Sequence, residues 1–366
     1  MSAHSTTLGA RARNWTTFVP LAAAVALAAL WGSHPADPVL VAILPLLFGA
    51  VFAAVQHAEI VAHRIGEPFG SLLLAVAVTV IEVGLIVMLM TSDKDTSELA
   101  RDTVFAAVMI CLNGIVGLVL LVGALKHHLA NFNPEGTGAA LATVITLAGI
   151  TLVLPRFSTS HPGPEFTPSQ LAFAAIASLA LYGMFVFTQT VRHREFFLPV
   201  DTDGDGEPDH PHLVSDRDAL WSLGLLLVAL VCVVGLAKLE SSGIERAVAA
   251  AGMPKAVVGV IIAVLVLAPE SIAAVRAAAQ DKVQTGLNLA YGSAMASIGL
   301  TIPAIAVASI WLDGPLSLGL TQMQIVLLLM SSLVAILTVV PGRAKPLAGG
   351  VHLVLFAAFV FISIAP

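Results

Sequence analysis

Two glutamates stand where a chain ordinarily keeps carboxylates out. Glu82 lies within AVTVIEVGLIV (77–87) and Glu270 within VLVLAPESIAAV (264–275). A carboxylate at membrane depth is costly unless it is paired, protonated or hydrated, so such residues are functional hypotheses by default. No Lys or Arg stands near the middle of these or any other apolar stretch. The natural partner is therefore mobile: a cation or a proton. Burial disfavours the charged carboxyl and a bound cation favours it, so proton and cation compete for the same oxygens. That competition is the chemistry of exchange. Two carboxylates can neutralise one divalent ion, and two protons can replace it without leaving charge in lipid. The structural alternative is a protonated glutamate that hydrogen-bonds one helix to the next.

The neighbouring side chains supply oxygen. Thr79 precedes Glu82 by one turn and Ser271 follows Glu270 directly; LNGIVGL (112–118) carries Asn113, and YGSAMASIGLTIP (291–303) carries Ser293 and Ser297. Hydroxyl, amide and carboxylate oxygens suit hard cations such as Ca²⁺ or Na⁺, and soft-metal ligands are missing from these stretches. Pro269 removes a backbone N–H and frees a carbonyl one turn earlier. Pro303 can do likewise or simply kink its helix.

Residues with this chemistry must be held by membrane helices. The 366-residue chain is 58% hydrophobic and 11% charged, with a mean hydropathy of +0.94. A soluble domain carries about 25% charged residues, so most of this surface faces lipid. Apolar runs long enough to cross a bilayer, about 20 residues each, recur without the two-residue alternation of barrel strands. Eleven spans are expected, at 15–31, 38–57, 69–91, 104–125, 137–155, 169–190, 219–238, 256–275, 286–311, 321–340 and 347–364. The first follows Arg11 and Arg13 but is long for a signal peptide and lacks a clear cleavage site. Cys111 and Cys232 fall within spans and read as small apolar fillers. The thin negative charge implies no nucleic-acid partner.

With the N-terminus in the cytoplasm, eleven Lys/Arg fall on inner segments and six on outer ones, which favours N-in and C-out. Glu82 then lies 13 residues into an outward span and Glu270 lies 14 residues into an inward one. Similar helices entered from opposite faces mark an inverted repeat. The expected fold is all-α, with one extra N-terminal helix (1–36), a first five-helix repeat (37–191), a cytoplasmic loop (192–218) and a second five-helix repeat (219–366).

The residues 57–89, HAEIVAHRIGEPFGSLLLAVAVTVIEVGLIVML, together with LNGIVGL and NLAYGSAMASIGLTIPAIA (288–306), closely resemble the bacterial ChaA-type calcium/proton and sodium/proton antiporters of the calcium/cation antiporter superfamily. The resemblance covers nearly the whole chain. It implies two inverted five-helix repeats with spans 3, 4, 8 and 9 around the ion, and Glu82 and Glu270 as carriers of cation or protons. It also implies a bacterial inner membrane. Many members have Asn three residues before each acidic residue; here those positions are Thr79 and Leu267. The second repeat thus offers fewer side-chain ligands for tight Ca²⁺ coordination.

His57, Glu59 and His63 close the second span on the cytoplasmic side. Histidine titrates near neutrality, so these residues are candidates for a proton gate or pH sensor, or else polar residues at a helix end. Asp201, Asp203, Asp205 and Gly206 reproduce the start of an EF-hand calcium loop, but His212 replaces its bidentate Glu. A regulatory Ca²⁺ site and a solvated acidic linker both fit. The outer loop 91–102 is net acidic. No G-x-x-x-x-G-K-[ST] motif is present, so a proton gradient must drive transport. The expected partners are lipid, protons, Ca²⁺ and/or Na⁺, with K⁺ as a further candidate, and no cofactor is expected. A passive channel and a membrane-embedded enzyme are the competing classes; the internal repeat disfavours the first and the scarcity of mid-span histidine the second.

Overall fold

The computed structural model describes residues 5–33, 35–66, 69–90, 97–199, 214–311 and 316–365. Eleven helices account for nearly all of them. The first three are α1 (Ser5–Leu30), α2 (Asp37–Ile65) and α3 (Phe69–Met90). Next come α4 (Leu99–His127), α5 (Pro134–Phe157) and α6 (Pro168–Arg192). The second half holds α7 (Asp216–Ala250), α8 (Ala256–Ala279), α9 (Val283–Ala308), α10 (Gln322–Val339) and α11 (Pro346–Ile364). Each expected span coincides with one helix.

The largest boundary difference is at α7, which runs 12 residues beyond the expected end at 238. Glu240 and Ser241 are buried inside the protein, so the helix continues through polar residues that look like a span end in sequence. At 35 residues, α7 is about 50 Å long and outreaches a hydrocarbon core of about 30 Å.

The turns that end α2 and α7 reveal more of the repeat. Gly66 follows α2 with φ 77° and Gly252 follows α7 with φ 68°, a left-handed conformation that favours glycine. Each lies seven residues after a glutamate, Glu59 or Glu245, and two before a proline, Pro68 or Pro254. Full capping boxes start two of the helices: Thr167 with Gln170 at α6, and Thr321 with Gln324 at α10.

The helices fall into two compact units. One comprises Met1–Met88 and Asp209–Ala250; the other comprises Leu89–Pro208 and Ala251–Pro366. In the first, α2 and α7 run antiparallel, with Arg64 paired to Asp216 at one end and Asp37 to Arg246 (2.7 Å) at the other. Helix α1 packs against both. In the second unit α4 is central, 89% buried along its span, against 22% for α6 and α11. Lipid-facing residues such as Phe173, Ile176, Val354 and Phe361 clothe those outer helices. A two-residue antiparallel pair, Ala130–Asn131 with Arg343–Ala344, ties the end of α4 to the start of α11.

In α4 a π-helical turn occupies Ile110–Ile115, and α9 breaks at Leu300 between Gly299 and Thr301. Pro303 has no N–H for the Gly299 carbonyl, which accounts for the break. Further π-helical turns lie at Gly149–Val153 in α5 and Thr188–Arg192 in α6, and the irregularities of α4 and α9 form a matched pair. Asn113 in the π-turn lies 31 residues after Glu82, and Thr301 at the break lies 31 after Glu270. The irregularities of α4 and α9 thus occupy equivalent places in the two halves.

Candidate transport site

In the first unit, Thr79 and Glu82 are one turn apart on α3 and both are buried. Threonine in a membrane helix commonly bonds the carbonyl four residues back, as Thr143, Thr151 and Thr338 do at 2.8 Å. Thr79 does not; its Oγ1 is buried without a hydrogen-bond partner among the described atoms, a hydroxyl available to a ligand. Gly84, two residues after Glu82, lets α3 approach α7: a Cβ there would lie 2.5 Å from Val234 Cγ2.

His57 is also buried in this unit, 3% exposed. Its Nε2 donates to the Thr16 carbonyl at 3.0 Å. Pro20 in α1 removes the N–H that would otherwise bond that carbonyl, so His57 completes a helix ladder that Pro20 interrupts. Glu59 and His63 are exposed one turn apart on α2 and interact electrostatically. The three residues grouped by sequence thus divide: one docks α1, two face outward.

In the second unit, Glu270 is half-buried on α8 and accepts a hydrogen bond from the Ser293 hydroxyl of α9. Ser297, one turn on from Ser293, is buried on the same face. Ser271 instead turns to its own helix and donates to the Leu267 carbonyl at 2.7 Å. Pro269 leaves the Leu265 carbonyl without its ladder N–H. Asn113 is fully buried and donates from Nδ2 to Ser331 Oγ at 2.8 Å.

Sequence reasoning missed three contributors. His352 on α11 is fully buried and approaches Asn113. Tyr182 on α6 lies within electrostatic reach of Glu270 and packs so close to Gly299 that a Cβ there would lie 2.9 Å from its own Cβ. Ser178, one turn before Tyr182, is buried with no partner for its Oγ among the described atoms. The available signal was the stripe Ala174, Ser178, Tyr182 and Phe185, the only buried face of α6 among its described residues before the π-turn. Its two middle members are polar. Asp201, Asp203 and Asp205 lie outside the described residues.

A family model described as sodium/calcium exchanger protein matches residues 38–191 and 221–365. These two segments hold α2–α6 and α7–α11, five helices each. The chain belongs to the sodium/calcium exchanger family. It is therefore a multi-pass membrane ion antiporter, built as one extra helix and two inverted five-helix repeats. It is 44% identical over 357 residues to the putative ionic transporter y4hA of Sinorhizobium fredii (strain NBRC 101917 / NGR234), covering 96% of each chain. It is 34% identical over 337 residues to the sodium-potassium/proton antiporter ChaA of Escherichia coli (strain K12), covering 90% of this chain and 91% of that one. Among solved structures, native YfkE, named elsewhere a Ca²⁺/H⁺ antiporter, superposes with a TM-score of 0.73 at 17% identity, covering 96% of this chain and all of the other. The fold of this family member and its relationship to ChaA-type antiporters thus agree with the expectation from sequence.

Proposed function

We propose that this exchanger moves Na⁺, K⁺ and/or Ca²⁺ out of the cytoplasm against entering protons by alternating access, with Glu82 and Glu270 holding cation or protons in turn. The observation that carries the reading is the Glu270 carboxylate, placed within a membrane helix and held by the Ser293 hydroxyl across α8 and α9. A hydroxyl can donate to a carboxylate or turn its lone pairs to a cation, so the pair can serve both loaded states. Protons bind from the outer side, the surrounding helices rearrange, and the protons leave for a cation on the inner side. Similarity to a sodium-potassium/proton antiporter over most of the chain supports monovalent cargo, as does the loss of Asn at Thr79 and Leu267. The family description supports Ca²⁺.

In this reading Thr79, Asn113 and Ser297 supply further oxygen ligands, Ser271 is spent on the Leu267 carbonyl of its own helix, and Glu59 with His63 forms the cytoplasmic gate. The repeats span 37–191 and 219–366, the N-terminus lies in the cytoplasm of a bacterial inner membrane, and Asp201, Asp203 and Asp205 bind regulatory Ca²⁺. The deciding assay is proton flux in everted vesicles after addition of NaCl, KCl or CaCl₂, for wild type, Glu82→Gln and Glu270→Gln. A cation that collapses the imposed ΔpH in wild type and in neither variant names the substrate. Normal exchange in both variants makes the glutamates structural and overturns the mechanism.

A further inference from the structure

Ser331 and Thr338 of α10, Asn113 of α4 and His352 of α11 form one hydrogen-bonded chain of side chains. Asn113 Nδ2 donates to Ser331 Oγ at 2.8 Å, and Ser331 donates onward to the Leu327 carbonyl at 2.8 Å. The amide oxygen of Asn113 can only accept, and His352 Nδ1 lies 3.4 Å from it. That fixes the tautomer: the proton sits on Nδ1. The other ring nitrogen, Nε2, lies 3.2 Å from Thr338 Oγ1, whose hydroxyl can turn to it from the Val334 carbonyl. A neutral imidazole in this tautomer leaves every member satisfied, and its side-chain partners are uncharged.

The backbone is shaped to receive the ring. At Gly349, one turn before His352, a Cβ would lie 2.6 Å from the Leu121 amide nitrogen and 2.7 Å from the Gly117 carbonyl oxygen. At Gly117 a Cβ would lie 3.1 Å from the His352 Cβ. Facing glycines let α11 lie directly on α4, so the imidazole reaches the π-turn Ile110–Ile115. A π-turn carries one residue more than the α-helical ladder needs and is often found at functional sites. Its amide side chain needs external partners to hold one orientation: Ser331 of α10 takes the amide nitrogen and His352 of α11 the amide oxygen.

We propose that His352 is a positioning residue for transport: it fixes the Asn113 amide, and with it the π-turn of α4, in the shape that receives the cation. The proposal rests on the reading that α4 lines the ion site. His352 does not touch the cargo and carries no transported proton. Removing its Nδ1 donor lets the amide rotate and the π-turn relax, which weakens cation capture and leaves the proton-dependent steps alone.

The test is ΔpH collapse in everted vesicles, titrated with NaCl, KCl and CaCl₂ across pH, for wild type, His352→Leu, His352→Gln and Glu270→Gln. Leucine fills the space without a donor; glutamine can donate to Asn113 and accept from Thr338. In His352→Leu the half-saturating cation concentration should rise roughly tenfold, equivalent to about 1.4 kcal/mol, with the maximal rate within about twofold and the pH profile unmoved. His352→Gln should restore wild-type half-saturation. If both variants match wild type, the ring only fills space and the proposal fails. If both shift the pH profile alike, His352 carries a proton and the proposal fails in that direction. Should His352→Leu not accumulate, His352→Gln still decides: a raised half-saturation constant in that variant overturns the positioning role. Exchange that survives Glu270→Gln sinks the site reading instead, whatever the histidine variants do.

Discussion

His57 and Thr16 are joined by a hydrogen bond that neither helix could make alone. Pro20 strips the Thr16 carbonyl of its ladder partner, and the His57 Nε2 of α2 fills the vacancy at 3.0 Å. Close packing supports the joint: a Cβ at Gly49 would meet Val19 Cγ1 at 2.8 Å, and one at Gly235 of α7 would meet Leu27 Cδ2 at 2.5 Å. The extra N-terminal helix is thus seated on α2 and α7 by specific contacts.

Replacing His57 by Leu should therefore loosen α1. The lost bond and the buried carbonyl left behind should cost about 1–3 kcal/mol. Limited proteolysis at the N-terminus and thermal unfolding in detergent would report it. Pro20→Ala restores an N–H to the Thr16 carbonyl, so the double variant should recover part of the loss. If α1 holds as firmly in His57→Leu as in wild type, the bond does not seat the helix.

Ser293→Ala should be the most informative change at the transport site after the glutamates. It removes a donor from the Glu270 carboxylate, and a hydrogen bond to a charged group contributes about 1.5–3 kcal/mol. The cation should then compete less well with protons, and half-saturation at neutral pH should rise roughly tenfold or more. Alkaline conditions, which remove the competing proton, should recover much of it. Ser271→Ala is the control: its hydroxyl bonds the Leu267 carbonyl, so exchange should be little changed. Equal effects from both substitutions would count against the Ser293–Glu270 pair.

Much of this arrangement was legible in the sequence, and the part that was not has a common cause. All eleven spans could be read because a bilayer demands long apolar runs. Glu82 and Glu270 stood out because charge within such a run is rare. The Ser293–Glu270 bond follows from helices adjacent in the chain. His352, Asn113 and Ser331 are 218 or more residues apart in their pairings, and no periodicity announces which polar residues will meet. Arg101 and Asp102 gave the opposite difficulty. They sit at the end of an acidic loop in sequence, yet α4 starts at Leu99 and buries both. Two opposite charges beside each other look like solvated surface until the helix that carries them is placed.

That pair makes a prediction about stability. Arg101 bonds Asp102 at 2.9 Å and Glu98 at 3.0 Å, and its Nη1 reaches the Gly319 carbonyl at 3.5 Å. Gln324, at the start of α10, donates to Asp102 at 3.1 Å. Removing one partner of a buried ion pair strands the other charge and typically costs about 3–5 kcal/mol. Arg101→Met should destabilise the protein by about that much, whereas Arg101→Met with Asp102→Asn should be distinctly milder, because the only charge then left without Arg101 is the exposed Glu98. Unfolding of the three proteins in one detergent gives the comparison. A double variant worse than Arg101→Met would mean that packing of the guanidinium, not its charge, dominates.

Gly349 offers a sharper test of how α11 meets α4. Its hypothetical Cβ would fall 2.6 Å from the Leu121 nitrogen and 2.7 Å from the Gly117 oxygen. Both are backbone atoms of a central helix and have no rotamer by which to move aside. Even alanine should therefore push the helices apart, with an overpacking penalty of about 1–3 kcal/mol. Gly350, the next residue, meets nothing within 4 Å, so Gly350→Ala should be neutral or slightly stabilising through the better helix propensity of alanine. The contrast between adjacent glycines removes composition and helix length as explanations. Separation of α11 from α4 should also lengthen the His352–Asn113 contact, so Gly349→Ala should raise the half-saturating cation concentration while Gly350→Ala leaves it alone. Thermal unfolding and cation titration of the two variants would show both effects. Equal behaviour in both assays would mean that the helices yield at this crossing, and that the glycine is not what brings the ring to the π-turn.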